Sequence, residues 1–184
     1  MAASLPDSEA ILDFWFKEST PKQWFARSDD FDRLIATRFS AIYAAAASGE
    51  LQAWRATADG RLAEIIVLDQ FSRNLFRNAP RAFACDGMAL VLAQTAVECG
   101  ADQDLPVTRR AFLYMPYMHS ESALIHTHAV RLFSQPGLEG NLDFELRHKA
   151  IIDRFGRYPH RNAALGRPST PEEIEFLQTP GSSF

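Results

Sequence analysis

Three stretches of this 184-residue chain carry side chains of the types and spacing that chemistry needs. The first holds Asp69, Arg73 and Arg77 at successive i+4 positions, with Gln70 and Asn74 in a parallel row. Carboxylate, guanidinium and amide groups so arranged can orient a polar ligand. The same residues also read as a wet helix face braced by an Asp69–Arg73 pair. The second stretch is His119-Ser120-Glu121, followed by His126 and His128. His119 and Glu121 are candidate acid–base catalysts, because both titrate in a useful range once buried. Histidine with carboxylate also suits zinc, but the tight His-x-x-x-His spacing is missing, and no metal site is expected. Glu121 and His128 are expected on one helix face, and a Ser120 cap would explain half of this group structurally.

The third stretch, Arg154-Phe155-Gly156-Arg157-Tyr158-Pro159-His160-Arg161-Asn162, packs three arginines and a histidine into nine residues of an acidic chain. Gly156 suits the left-handed turn at a helix end, and Pro159 pushes Tyr158 toward an extended conformation. Such a loop can aim several donors at one place, and guanidinium groups suit carboxylate or phosphate. Cations near a helix C-terminus also stabilise its carbonyls, and arginines can pair with the protein's own acids. The candidate ligand-binding residues are therefore Asp69, Arg73, Asn74, Arg77, Arg157, Arg161 and Asn162. The candidate catalytic residues are His119, Glu121 and His160.

Other chemistry loses support. The chain has no Gly-rich phosphate loop, no Gly-x-Ser-x-Gly elbow, no His-Glu-x-x-His and no Cys-x-x-Cys. No cofactor is expected. A net charge of −4 argues against nucleic acid as a partner. No apolar run approaches the roughly 20 residues of a membrane span. The segment Met1 to Asp7 has no positive charge, so no secretory signal is expected, and the protein is expected in the cytoplasm. Cys85 and Cys99 fall in one helical segment, about 21 Å apart at helical rise, too far for a disulfide, and are expected as buried, reduced thiols.

The elements that must position these groups read as helix after helix. Ser8 can cap a helix through Glu18, which Pro21 ends, and Trp24-Phe25 then form an aromatic plug. Ser28-Asp29-Asp30 starts a helix that Gly49 stops. A long helix is expected over Asp59 to Arg77, and another from near Pro80 to Gly100. Thr108 to Met118 should be helical and kinked or ended by Pro116. Ser120 is expected to cap a helix to Gln135, and Asn141 one that ends at Gly156. Arg157 to Ser169 reads as loop, and Thr170-Pro171-Glu172-Glu173 as a capping box. No alternating strand pattern and no 34-residue repeat is visible, so the expectation is a single all-α domain over 1–184.

Read in order, several segments resemble the bacterial domain-of-unknown-function family 924. They are Ile11-Leu12-Asp13-Phe14-Trp15-Phe16, Trp24-Phe25, Leu68-Asp69-Gln70-Phe71-Ser72-Arg73-Asn74, Pro80-Arg81-Ala82-Phe83, Pro116-Tyr117-Met118-His119-Ser120-Glu121 and Arg154 to Asn162. Ser72 stands where the family pattern often has Pro, and Tyr158 where it often has Phe; neither change removes a charge. The resemblance implies a tetratricopeptide-like, right-handed superhelical array of about eight to nine antiparallel helices. It implies no activity. Two functions fit: a binding protein or enzyme for a small anionic metabolite with a central Arg/His/Asp/Glu pocket, or a tetratricopeptide-like scaffold for a partner protein. A third reading is a structural polar network that ties the helices together.

Overall fold

The structure, a computed structural model, describes residues 5–183. Part of the N-terminal segment read for a secretory signal, residues 1–4, lies outside them. Among the described residues there is no strand, and no helix is long and apolar enough to cross a membrane.

The chain begins with α1 (Ser8–Asp13), which runs on into a π-helical turn, Phe14–Glu18. Asp7 rather than Ser8 caps it, accepting a hydrogen bond from the Ala10 N–H. Pro21 does not simply end this element. It opens the short helix α2 (Pro21–Phe25), because Thr20 and Gln23 form a capping box and Pro is tolerated where no N–H is needed. Helix α3 (Asp29–Ala47) is capped by Ser28, as the sequence predicts.

The predicted helix over Asp59–Arg77 is three pieces in line: α4 (Ala58–Ile66), a π turn over Val67–Phe71, and α5 (Ser72–Leu75). After a 3-10 turn at Pro80–Phe83 come α6 (Asp86–Glu98) and α7 (Val107–Met118). Pro116 lies inside α7, two residues before its end. Ser120 does not cap the next helix. The chain turns once more first, so that α8 (Ala123–Phe133) starts after Ser122 and the Ser120 carbonyl faces His126. Helix α9 (Glu139–Phe155) begins before Asn141 and ends at left-handed Gly156. The segment predicted as loop holds a 3-10 turn, Pro159–Arg161, and α10 (Asn162–Leu165); α11 (Pro171–Phe176) has the expected Thr170–Glu173 capping box. The helices are thus shorter and more broken than the sequence pattern suggests.

Helix α4 is central, packing on α1, α6 and α7, while α7, α8 and α9 pack on one another in chain order. The aromatic core sits at the α1–α3–α4 junction. Phe14, Phe39 and Phe71 meet there with centroids 4.8–6.0 Å apart, and Trp15 packs on Phe71 and Phe112 at 5.6 and 5.8 Å. Each such ring buries roughly 150–250 Å², so this junction dominates the apolar stabilisation. Cys85 and Cys99 are free thiols; Cys85 is buried, but Cys99, at the exposed end of α6, is not.

Candidate functional site

The π turn of Val67–Phe71 is the first thing that positions the site. A widened turn shifts the register of the residues it contains, and such turns recur at functional sites. Here it carries Asp69 and Gln70 inward. Asp69 is fully buried, not part of a wet face. Its carboxylate accepts from Gln70 Nε2 at 2.5 Å, lies 3.2 Å from the Arg73 guanidinium, and meets His119 Nδ1 at 2.7 Å. Burial alone would raise the Asp69 pKa. Arg73, His119 and Gln70 outweigh it, and the group is held well below the usual carboxylate range. Asp69 is therefore an anion, and His119 Nδ1–H donates to it.

His119 caps the C-terminal end of α7, and 16% of its side chain is exposed. Burial lowers its pKa; Asp69 opposes that and Arg73 adds to it, with a net shift downward. A neutral ring donating from Nδ1 leaves a lone pair on Nε2; among the described residues the ring's hydrogen bond is the one through Nδ1. This is the arrangement of a general base oriented by a carboxylate.

Asp86, at the start of α6, organises the cations. Arg73 reaches it with two hydrogen bonds of 3.1 Å, and Arg161 with one of 3.2 Å. Arg161 also donates to the His119 carbonyl at 2.9 Å, and its guanidinium lies over Tyr158 at 4.6 Å and Phe83 at 4.7 Å. It is 5% exposed, and its Nε finds no partner among the described residues. Burial, together with the charge of Arg73, lowers its pKa. Half-buried Arg73 and buried Arg161 share the Asp86 carboxylate, but Arg73 also has Asp69, which leaves Arg161 the less compensated of the pair.

Beneath this lies a second buried layer. His126 Nδ1 is 2.6 Å from Glu145 Oε1, and both side chains are fully buried. His126 Nε2 donates to the Ser120 carbonyl at 2.8 Å. Tyr158 donates its hydroxyl proton to the Met118 carbonyl at 2.6 Å and lies 3.1 Å from His126 Nε2. Burial, ahead of the pull of Arg161, lowers His160 to about 4.

The sequence-predicted residues divide three ways. Asp69, Arg73, His119 and Arg161 come together, with His160 beside Tyr158 at their edge. Asn74 and Arg77 turn to α3 instead, where both bond Asp32 at 2.7–2.8 Å. Arg157 and Asn162 serve α11. Arg157 forms a two-pronged pair with Glu173 at 2.6 and 2.8 Å, and Asn162 donates to the same carboxylate at 3.2 Å. Glu121 lies before α8, so it shares no helix face with His128. It accepts from the Tyr158 N–H at 2.7 Å and from Arg167 at 2.7 and 2.9 Å. Burial pushes its pKa up, but Arg167 and that N–H more than reverse the shift. Sequence reading missed Asp86 and Glu145. The signal available for Asp86 was an acid three residues after the Pro80–Phe83 turn, where arginines of an acidic protein need a partner. Among the described residues no group of three or more His, Cys, Asp or Glu side chains could hold a metal ion.

Residues 11–181 match the family described as "Bacterial protein of unknown function (DUF924)". The chain belongs to that family. DUF924 thus spans every element that builds the site, from α1 to the end of α11. A solved structure of a protein of unknown function, ATU0120 from Agrobacterium tumefaciens, is similar at 37% identity with a TM-score of 0.88. The similarity covers 93% of this chain and 96% of that one. No curated protein matches the chain.

Proposed function

We propose that this DUF924 protein binds a small anionic metabolite at the face formed by His119 and Arg161, and that His119 moves a proton on it. The observation that carries the reading is the Asp69–His119 contact of 2.7 Å, which fixes the tautomer and leaves Nε2 as an acceptor. Arg161 supports the anion: its charge is shared rather than matched, so an arriving carboxylate or phosphate would complete it. Arg73 holds Asp69 ionised, and Asp86 holds both arginines in place.

A cytoplasmic setting belongs to the same reading, supported by the free thiols of Cys85 and Cys99. So does a single domain whose helices stack as a tetratricopeptide-like superhelix, supported by the serial packing of α6 on α7, α7 on α8 and α8 on α9. Exposed Leu124 on α8 and Phe144 on α9 favour the second reading, a scaffold for a partner protein. Recovery of one stoichiometric polypeptide with the purified protein, and no ligand response, would move the conclusion there.

The test is a thermal-shift screen of small carboxylates and phosphate esters against the wild type, His119→Gln and Arg161→Lys. A true ligand stabilises the wild type, and its affinity falls at least tenfold in Arg161→Lys, because an ammonium cannot reproduce the planar fork. His119→Gln should keep binding and lose any turnover. A ligand response unchanged in Arg161→Lys would sink the assignment.

A further inference from the structure

A second concave surface lies away from the Asp69–His119 cluster. Helix α9, α11 and the chain just after α11 enclose a groove of about 490 Å³, lined by Arg147, Ile151, Arg154, Phe155 and Phe176, with Ala150, Pro180 and Gly181 at its edges. That volume falls in the range of small-molecule sites, roughly 300–1,000 Å³. Arg147, Ile151 and Arg154 stand at i, i+4 and i+7 on α9, so they share one face, with the two arginines about 10 Å apart along the axis.

The floor is apolar and the rim is cationic. Ile151 is 6% exposed at the base, and Phe155 and Phe176 pack with centroids 5.0 Å apart. The Arg154 guanidinium lies 4.6 Å above Phe155 and 5.7 Å above Phe176. Among the described residues it pairs only with Glu172, through one oxygen of a carboxylate that is 61% exposed, an ion pair that contributes little. Arg147 lies over the exposed ring of Phe144 at 5.5 Å and has no ion pair among the described residues. Arg61, Arg81, Arg110 and Arg131 also have no ion pair among the described residues, but of these five arginines only Arg147 lines the groove. Arg55, Arg77, Arg157 and Arg167 each close on a carboxylate with two prongs.

We propose that this groove binds a small amphiphilic carboxylate, its apolar body on Ile151, Phe155 and Phe176 and its carboxylate on Arg147. Arg154 supplies a second positive charge at the far end of the same face. A purely apolar ligand would leave Arg147 unused, and a hydrophilic dianion would leave the aromatic floor unused. A monoanion with an aromatic or short alkyl body uses both. The inference does not depend on the function proposed for the His119–Arg161 face.

Titration of the full chain with 4-phenylbutyrate, followed by amide NMR, tests it, with 4-phenylbutanol and 4-phenylbutylamine as neutral and cationic matches. Saturable shifts should map to residues 147–155 and 171–181, and the alcohol and the amine should bind at least tenfold more weakly. Arg147→Ala should weaken phenylbutyrate by a similar factor, and Ala150→Trp, at an exposed position on the groove's edge, should block it. Both variants lie on the surface and leave the fold's amide spectrum in place. Equal binding of the alcohol, an unaffected Arg147→Ala variant, or the absence of saturation overturns the proposal. Shifts confined to His119 and Arg161 would overturn it too, and would speak for the other site.

Discussion

His119 Nδ1 lies 2.7 Å from Asp69 Oδ1 across 50 residues of sequence, joining the C-terminal end of α7 to the π turn that follows α4. Burial and neighbouring charge set the protonation of both partners. The carboxylate is ionised although buried, because Arg73 and His119 stand beside it; the imidazole is neutral because burial outweighs its neighbour's charge. Removing the charge at Asp69 therefore alters both folding and the histidine.

Asp69→Asn should cost about 3 kcal/mol of folding stability, the lower end for removing one partner of a buried ion pair. Arg73 would keep only Asp86 as a carboxylate partner. The loss of the negative charge should also lower the His119 pKa further. Urea unfolding reads the first effect and NMR titration of the ring the second. A stability change under about 1 kcal/mol would place Asp69 with surface pairs rather than buried ones.

Acid should weaken the fold well before the carboxylates titrate. Burial holds His148 at about 3 and His160 at about 4, and lowers His119, against an ordinary histidine value of 6.5. Below about pH 6.5 the unfolded chain binds protons that these native histidines refuse, so stability is full above that pH and declines as pH falls toward 4. Glu145 works in the opposite sense, because burial raises its pKa, but it is one group against three. Below about pH 4 the unfolded chain also takes up protons that the native Asp69 and Glu173 carboxylates refuse, since both are held low, Glu173 to about 2 by Arg157, and the decline steepens. Melting temperature should fall steadily from pH 7 to 4.5, and His160→Gln should flatten part of that slope. A flat profile over this range would contradict neutral buried histidines.

The helical character of the chain was legible from the 3.6-residue spacing of Phe31, Ile35, Phe39 and Ile42, all now buried on one face of α3. The site was legible only in part. Asp69 and Arg73 at i+4 predicted their own pairing, yet nothing in that spacing showed which side faces the core, because apolar residues flank the row on both sides. The π turn that decides it depends on how α4 packs on α1, α6 and α7. Arg157 and Arg161, four apart in one motif, go to different partners because Pro159 starts a new turn between them; one reaches Glu173, the other Asp86. Pairing of arginines with the chain's own acids was a reading the composition offered, and it describes Arg157 and Arg77. Which acid each arginine meets is a tertiary fact.

The position of α4, and with it the π turn, depends on a close backbone approach at Gly60. A Cβ built there would lie 1.9 Å from the Trp54 carbonyl oxygen and 2.8 Å from its carbon. Those are backbone atoms of the 3-10 turn Gln52–Ala56, so no side-chain rotation relieves the clash. Gly60 has ordinary helical geometry, and Ala is the better helix former by about 1 kcal/mol, so helix propensity alone favours the substitution. Packing reverses the sign. Gly60→Ala should destabilise the fold by about 2–3 kcal/mol, the upper part of the overpacking range, by pushing the Gln52–Ala56 turn off α4. Arg55, which closes on buried Glu64 with two hydrogen bonds of 2.7 Å, would be displaced with that turn. Denaturant unfolding of Gly60→Ala beside Gly87→Ala makes the comparison internal, since a Cβ at Gly87, in the first turn of α6, meets nothing within 4 Å. Gly87→Ala should be neutral or stabilising. Equal stability of the two variants would mean that the turn yields freely, and that α4 is held by its apolar contacts alone.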